Sequence, residues 1–297
     1  AAVVFVALAA FAVPQVKPEP KAGAIRVLFL GHESEHHNSN KFYPMLAKGL
    51  GRDAIYFDYV TTVEGALGDA AYLNKFDALL LYANHGKITP GQWKNLKGYV
   101  EGGGGFVPVH CASWCFGNEP GFDQLVGGRF ASHKGGTFTA KIVDPKHPWL
   151  AGVKEFEAWD ETYKHRNHNK NDRQVLMVRE VAEKGDNITE PEPWTWVRTQ
   201  GKGRVFYTAS GHDERVWKQP AFHQLLKAGI LWSVGDARKQ SYEKFIAARA
   251  PLKYEKRGDI ANYERRPEPL PYQFPLSARD SMDYTQAPVG FRLELFA

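Results

Sequence analysis

The 297-residue sequence has only two cysteines and lacks the common motifs for nucleotide binding and serine hydrolysis. It contains no phosphate loop, no dinucleotide fingerprint and no zinc-finger spacing. Gly-x-Ser-x-Gly is also absent, which argues against a hydrolase with a serine at a nucleophile elbow. Cys111 and Cys115 lie four residues apart. If a helix follows residue 110, a disulfide between them has awkward geometry, so we favour two small buried thiols.

The sequence also lacks a long apolar run and a basic stripe. Residues 1–13 are almost wholly apolar but too few to span a bilayer as a helix. They look like part of a signal peptide, with Ala10-Phe11-Ala12 as the cleavage site. We therefore expect cleavage after Ala12 and a periplasmic or secreted protein. The net charge of +5 is spread along the chain, and no basic patch with interleaved aromatics suggests a nucleic acid partner.

Residues 24–236, after a linker at 14–23, alternate short apolar runs with helical spacing. This alternation predicts βαβ units and a mostly parallel sheet. In the first half we expect strands at 25–30, 54–59, 76–82 and 106–109, and helices at about 40–50 and 90–100. In the second half we expect strands at 135–143, 173–178, 194–198 and 204–208, and a helix at 220–234.

Proline breaks the core pattern after residue 236. Residues 237–289 are expected to form an extended tail, with a short helix at 240–250. Residues 290–297 look like the first strand of a truncated following domain.

His110 is the most informative residue, because it follows a glycine run and a short apolar run and precedes small residues. This pattern is typical of a buried strand that ends in a tight turn into a helix. Ligands of α/β proteins collect beyond the carboxyl ends of such strands. A core histidine without function is the alternative, and the two interpretations are about equally supported.

Other polar residues follow predicted strands and would meet His110 at the same sheet edge. His32, Asn84 and His212 each end an apolar run. His36 and His37, in the loop after His32, are more simply explained as solvated polar residues.

Two further segments carry candidates for chemistry. His133 follows paired glycines and is either a site residue or a surface histidine. Asp160 and Glu161 are adjacent, so only one of them should enter a site if they lie on a strand. Glu161 would then act as a general base or orient a histidine, unless the segment is only a charged turn.

Five segments, in this order, resemble the ThuA-like (trehalose utilisation) family. They are residues 26–32, 103–112, 127–133, 160–163 and 201–212. The resemblance implies a flavodoxin-like three-layer α/β sandwich related to class I glutamine amidotransferases. Those enzymes place a cysteine at the elbow, where this chain has His110, and no late His-x-Glu pair is present. Glutaminase activity is therefore not expected, unless the register slips by one residue and places Cys111 at the turn.

The resemblance further implies action on a sugar, notably trehalose or a 3-keto glycoside, by a hydrolase or a lyase/isomerase. His110, His133, Glu161 and His212 would be catalytic, and His32, Asn84, Trp114 and Asp160 would bind substrate. A divalent metal held by His110, His133 and His212 is one alternative for the chemistry, since neutral imidazoles suit zinc or a similar ion.

The end of the chain resembles the start of a membrane-bound dehydrogenase domain, which suggests a downstream dehydrogenase and cytochrome partner. The main functional alternative is therefore a non-catalytic carbohydrate-binding module that serves this redox domain. In that case Trp114, Trp159 and Trp217 would stack on sugar rings.

Overall fold

The computed structural model describes residues 23–182, 185–263, 265 and 270–296. The predicted signal peptide at 1–13, and the linker at 14–23 apart from its last residue, lie outside this part of the chain. None of the helices in the described ranges is both long and apolar enough to cross a membrane.

The described ranges contain α-helices and β-strands that largely follow the predicted alternation. The helices are α1 (Ser39–Gly51), α2 (Val63–Leu67), α3 (Ala70–Leu73), α4 (Pro90–Glu101), α5 (Pro120–Val126), α6 (Glu214–Trp217), α7 (Pro220–Ser233), α8 (Asp236–Ala248) and α9 (Ala278–Met282). The strands of the first half are β1 (Ile25–Leu30), β2 (Ile55–Val60), β3 (Ala78–Leu81), β4 (Gly105–Pro108), β5 (Arg129–Ser132), β6 (Gly135–Thr139) and β7 (Lys141–Ile142). Those of the second half are β8 (Glu157–Glu161), β9 (Lys164–Arg166), β10 (Arg173–Arg179), β11 (Glu192–Gln200), β12 (Gly203–Thr208), β13 (Tyr254–Arg257) and β14 (Leu270–Gln273).

Eight strands form the central sheet, in the order β2-β1-β3-β4-β12-β11-β10-β7. Strands β2, β1, β3, β4 and β12 run parallel to one another, which confirms the prediction of a mostly parallel sheet. The remaining three strands pair antiparallel, and β11 and β12, which contain the strands predicted at 194–198 and 204–208, form a hairpin. Parallel strands end at one edge, so the loops after β1, β3, β4 and β12 are brought together there.

Helices cover both faces of the sheet, which makes a three-layer sandwich. α1, α6 and α7 contact one another, and α7 packs on β4 and β12. α2, α3 and α4 form a separate group. Right-handed crossovers place these two groups on opposite faces, because the chain passes from β1 outward to β2 and then returns over β1 to β3. The central strands are therefore apolar along their whole length, as in Ala78–Leu81, where all four residues are buried.

The predicted strand at 135–143 is two strands in different sheets. β6 pairs with β8, whereas β7 pairs with β10 of the central sheet. Ala140, which lies between them, is buried at this switch. β5 and β9 form a further two-stranded ribbon. The β6–β8 ribbon positions Glu161 at the end of β8.

The C-terminal tail holds more structure than the sequence predicted. The short helix expected at 240–250 is α8, which begins earlier and packs Tyr242 into the core, where its hydroxyl donates to the Asp53 carbonyl. The tail also contains β13, β14 and α9, and Gln286 donates to the Phe57 carbonyl of the edge strand β2. Residues 291–296 form no strand, although a strand was predicted there.

Candidate functional site

His110 lies at the carboxyl end of β4 in a backbone conformation that is unusual for a residue with a side chain. Its φ is +49°, and its side chain is fully buried. Such strain persists only where the surroundings enforce it, and it is concentrated at functional sites. The chain continues as a 3₁₀ turn over His110–Trp114, in place of the expected helix. Cys111 and Cys115 are free and buried, as favoured from the sequence.

The His110 ring is fixed on both sides. Its Nδ1–H donates to the Ala209 carbonyl at 2.6 Å, and its face stacks on Tyr163 with ring centroids 4.2 Å apart. The bond to Ala209 sets the tautomer, because a carbonyl oxygen only accepts. The lone pair of Nε2 therefore faces the site.

His37 reaches the same point from the loop between β1 and α1. Its Nδ1–H donates to Asn84 Oδ1 at 2.9 Å, which turns the lone pair of its Nε2 inward as well. His32 supports this arrangement, since its Nε2–H donates to the His37 carbonyl and its Nδ1 accepts from the backbone N–H of Asn84. His32 and Asn84 thus orient His37.

The adjacent carboxylates of Asp160 and Glu161 serve different purposes. Glu161 points into the site, whereas Asp160 accepts backbone N–H bonds from Glu161, Gly211 and His212. Asp160 thereby holds the turn that presents His212. Gly211 in this turn has a φ of +138°, and a Cβ there would lie 3.2 Å from the His110 Cβ, so glycine is required.

Four side chains converge: His37, His110, Glu161 and His212 each offer one ligand atom, and these atoms all lie within 4.8 Å of one another. His110 Nε2 is 3.2 Å from both His37 Nε2 and Glu161 Oε2. His212 Nδ1 is 3.2 Å from both His37 Nε2 and Glu161 Oε1.

The chemistry of this set fits a divalent metal. His37 and His110 have already used their Nδ1–H groups, so two lone pairs face each other at 3.2 Å with no hydrogen between them. Two acceptors this close repel each other, and either a proton or a metal cation between them removes the repulsion. The 3.2 Å from His37 Nε2 to His110 Nε2 and to His212 Nδ1 is short enough for these atoms to share one metal ion at about 2.0–2.1 Å. Neutral imidazoles with one carboxylate are typical ligands for zinc and similar ions.

The electrostatics keep Glu161 ionised and His110 neutral. Burial raises the pKa of Glu161, but the imidazoles of His110, His212 and His37 around its carboxylate outweigh this effect and lower the pKa well below its usual range. Burial lowers the pKa of His110 to about 3. Burial also lowers the pKa of His212, yet the hydrogen bond to Glu161 reverses this and leaves it raised. Burial raises the pKa of Asp160 to about 7, against the backbone N–H groups that lower it.

His133 lies at the rim of this cluster. Its Nδ1 is 3.4 Å from Glu161 Oε1, and its side chain is 42% exposed. It is not among the four converging residues. His36, which is exposed, also lies at this rim, with its ring 3.9 Å from that of His37 and 5.7 Å from that of His212.

The structure therefore sorts the sequence candidates. Of the metal set predicted as His110, His133 and His212, the structure brings His110 and His212 together with His37 and Glu161, whereas His133 lies at the edge of this group. His37 was taken for a solvated residue, and the sequence could not separate it from His36, because only the turn into α1 decides which imidazole points inward.

The three tryptophans suggested as sugar platforms differ in exposure. Trp217 is fully buried and donates to the Gly211 carbonyl, so it cannot stack on a ligand. Trp159 has the Arg215 guanidinium 3.8 Å from its ring centroid. Trp114 is 41% exposed, and the Arg129 guanidinium donates a hydrogen bond to its backbone carbonyl.

These features define an α/β protein of the flavodoxin-like type with a centre of three histidines and one glutamate at the carboxyl ends of its strands. The model of the ThuA family, described as trehalose utilisation, matches residues 26–233. The chain belongs to this family, which indicates a carbohydrate-related role.

Solved structures agree in fold. A ThuA-like protein from Bacteroides uniformis is 20% identical with a TM-score of 0.58, over 71% of this chain and 92% of its own. One from Parabacteroides merdae is 19% identical with a TM-score of 0.60, over 71% and 90%. A cytoplasmic protein from Salmonella typhimurium is 16% identical with a TM-score of 0.51, over 70% and 99%. No curated protein sequence matches the chain.

Proposed function

We propose that this chain is a carbohydrate-active enzyme whose reaction centre is a divalent metal site formed by His37, His110, Glu161 and His212. The observation that carries the proposal is the convergence of these four ligand atoms within 4.8 Å. The inward lone pairs of His37 and His110 support it, because they have no hydrogen to share. Burial supports it further, since it keeps the pKa of His110 at about 3 and its ring neutral.

In this proposal the residues divide into two roles. The four inner side chains would hold the ion, which would supply a Lewis acid for a substrate oxygen. His133 is the acid–base group, because it is exposed at the rim and its Nδ1 lies close enough to Glu161 to be oriented by it. Asp160, His32 and Asn84 keep the inner set in place.

The substrate class is a sugar or a 3-keto glycoside, and the bond broken lies next to a carbonyl or at the anomeric carbon. A hydrolase and a lyase or isomerase would both use a Lewis-acidic centre beside an imidazole that moves a proton. Glutamine amidotransfer is not proposed, because His110 holds the elbow position and burial raises the pKa of the Cys111 thiol well above its usual range.

The test combines elemental analysis with turnover. The purified protein should contain close to one equivalent of zinc or a similar metal, and a chelator should remove it. His110→Ala and His212→Ala should lose metal and turnover of a 3-keto glycoside together. His133→Ala should keep the metal and lose turnover, whereas His147→Ala, on a distant 3₁₀ turn, should keep both. Full turnover in His110→Ala and His212→Ala would contradict the proposal.

Export to the periplasm or the medium is part of the proposal, on the strength of the apolar residues 1–13 and the Ala10-Phe11-Ala12 motif. A downstream dehydrogenase and cytochrome domain is proposed from the resemblance of residues 290–297. N-terminal sequencing of protein recovered outside the cytoplasm should begin at Val13. A start before Ala10 would refute the predicted cleavage.

A further inference from the structure

A second buried set of polar side chains lies behind His110, on the side away from the four ligand atoms. Tyr207 on β12, fully buried, places its hydroxyl 3.1 Å from the His110 carbonyl. The same hydroxyl is 3.0 Å from His165 Nε2 on β9. His165 Nδ1 is in turn 2.9 Å from Glu192 Oε1 on β11, and that oxygen also accepts the backbone N–H of His165.

The acceptor at each end of this chain of hydrogen bonds is fixed, because a carboxylate and a backbone carbonyl only accept. His165 Nδ1–H therefore donates to Glu192, which orients the imidazole so that its Nε2 meets the Tyr207 hydroxyl. The same hydroxyl lies within hydrogen-bond distance of the His110 carbonyl and, at 3.0 Å, of Ser113 Oγ, so Tyr207 holds this carbonyl directly or through Ser113.

A hydrogen bond to the His110 carbonyl helps to hold the backbone conformation of His110. The left-handed backbone at His110 costs on the order of 1–3 kcal/mol and persists only if its surroundings hold it. Ser113 Oγ also contacts this carbonyl, at 3.1 Å. Because the His110 ring bonds Ala209 and faces the ligand cluster, a change in this peptide plane would move its Nε2.

We infer that Glu192, His165 and Tyr207 are positioning residues that fix the His110 backbone, and through it the imidazole, for metal binding. This inference rests on the proposed function for its consequence, although not for its geometry. None of the three is among the converging ligand atoms.

The test uses Tyr207→Phe and Glu192→Gln, with Tyr242→Phe as the matched control. Tyr207→Phe keeps the ring that packs 4.3 Å from Trp196, and Glu192→Gln keeps the shape but removes the charge that pairs with His165. Tyr242→Phe removes another buried hydroxyl that donates to a backbone carbonyl, that of Asp53, but in α8.

Two readouts separate this inference from the proposed function. In metal-free protein with ¹⁵N-labelled histidine, the His110 Nδ1 proton should exchange slowly with water in the unaltered chain and in Tyr242→Phe. Exchange should be at least about tenfold faster in Tyr207→Phe and Glu192→Gln, because a loosened backbone opens the bond to Ala209. Zinc affinity, measured by competition with a chelator, should fall by about tenfold in the same two variants, as when other residues that support metal ligands are lost.

Slow exchange and full zinc affinity in either Tyr207→Phe or Glu192→Gln would overturn the inference, whatever the metal content of the unaltered protein. Failure of the unaltered protein to bind zinc or a similar metal would instead refute the proposed function. The exchange measurement on metal-free protein would then still decide the role of Tyr207. A gain in exchange confined to these two variants would support the positioning role.

Discussion

The replacement Glu161→Gln isolates the charge that the ligand cluster needs. Glutamine keeps the shape of the side chain but removes the carboxylate that faces three imidazoles at 3.2–3.5 Å. Loss of a residue that only supports a ligand costs about 10–100-fold in metal affinity, so loss of a ligand charge should cost at least about 100-fold. That factor corresponds to about 2.7 kcal/mol of binding free energy.

The size of this effect can be measured as thermal stabilisation. Metal at 100 times its Kd stabilises the folded state by about 2.7 kcal/mol, which for a domain of this size raises the Tm by roughly 5–10 °C. Zinc added to chelator-treated protein should therefore raise the Tm of the unaltered chain by this amount. At the same zinc concentration Glu161→Gln should show almost no rise.

The control is Glu155→Gln, which makes the same substitution at a carboxylate that accepts from the backbone of Ile142, on β7. It should keep the full zinc-dependent rise in Tm. A rise in Glu161→Gln equal to that of the unaltered chain would refute the assignment of Glu161 as a ligand.

Three further predictions concern stability and reactivity. Burial raises the pKa of Asp186, but the Arg179 guanidinium and backbone N–H groups outweigh burial and lower this pKa from 3.8 to about 2. The ion pair between Asp186 and Arg179 therefore stabilises the fold above pH 3.8, and this stabilisation is lost as the pH falls through 2. In urea unfolding, Asp186→Asn should have a free energy of unfolding about 2 kcal/mol lower than the unaltered chain at pH 7, and the difference should be smaller at pH 3. An equal difference at the two pH values would contradict the lowered pKa of Asp186. Gly211→Ala should lower the free energy of unfolding by about 1–3 kcal/mol because of its positive φ, and unchanged urea midpoints would argue against the strained turn. Burial raises the pKa of Cys115 to about 12 and lifts that of Cys111 well above its usual range. Iodoacetamide at pH 8 should therefore label neither thiol until guanidinium unfolds the chain, as read by mass spectrometry.

Much of the fold follows from local patterns. The apolar runs that became β1, β3 and β4 are continuous because strands at the centre of a parallel sheet are buried on both faces. Thr89 and Pro90 begin α4 through a capping box and a proline in the first turn, which are local signals. The division of 135–143 into β6 and β7 was not predictable, because it depends on two different partner strands.

Local sequence patterns predict that polar residues end several parallel strands and therefore meet at the carboxyl edge of the sheet. They point to His110, Glu161 and His212, since strand ends and alternation are local properties. The folded chain adds His37 to this group, leaves His133 at the rim and turns Asp160 toward the backbone. These outcomes are not local, because the direction of a side chain in a loop depends on partners distant in sequence, such as Asn84 for His37 and Gly211 for Asp160.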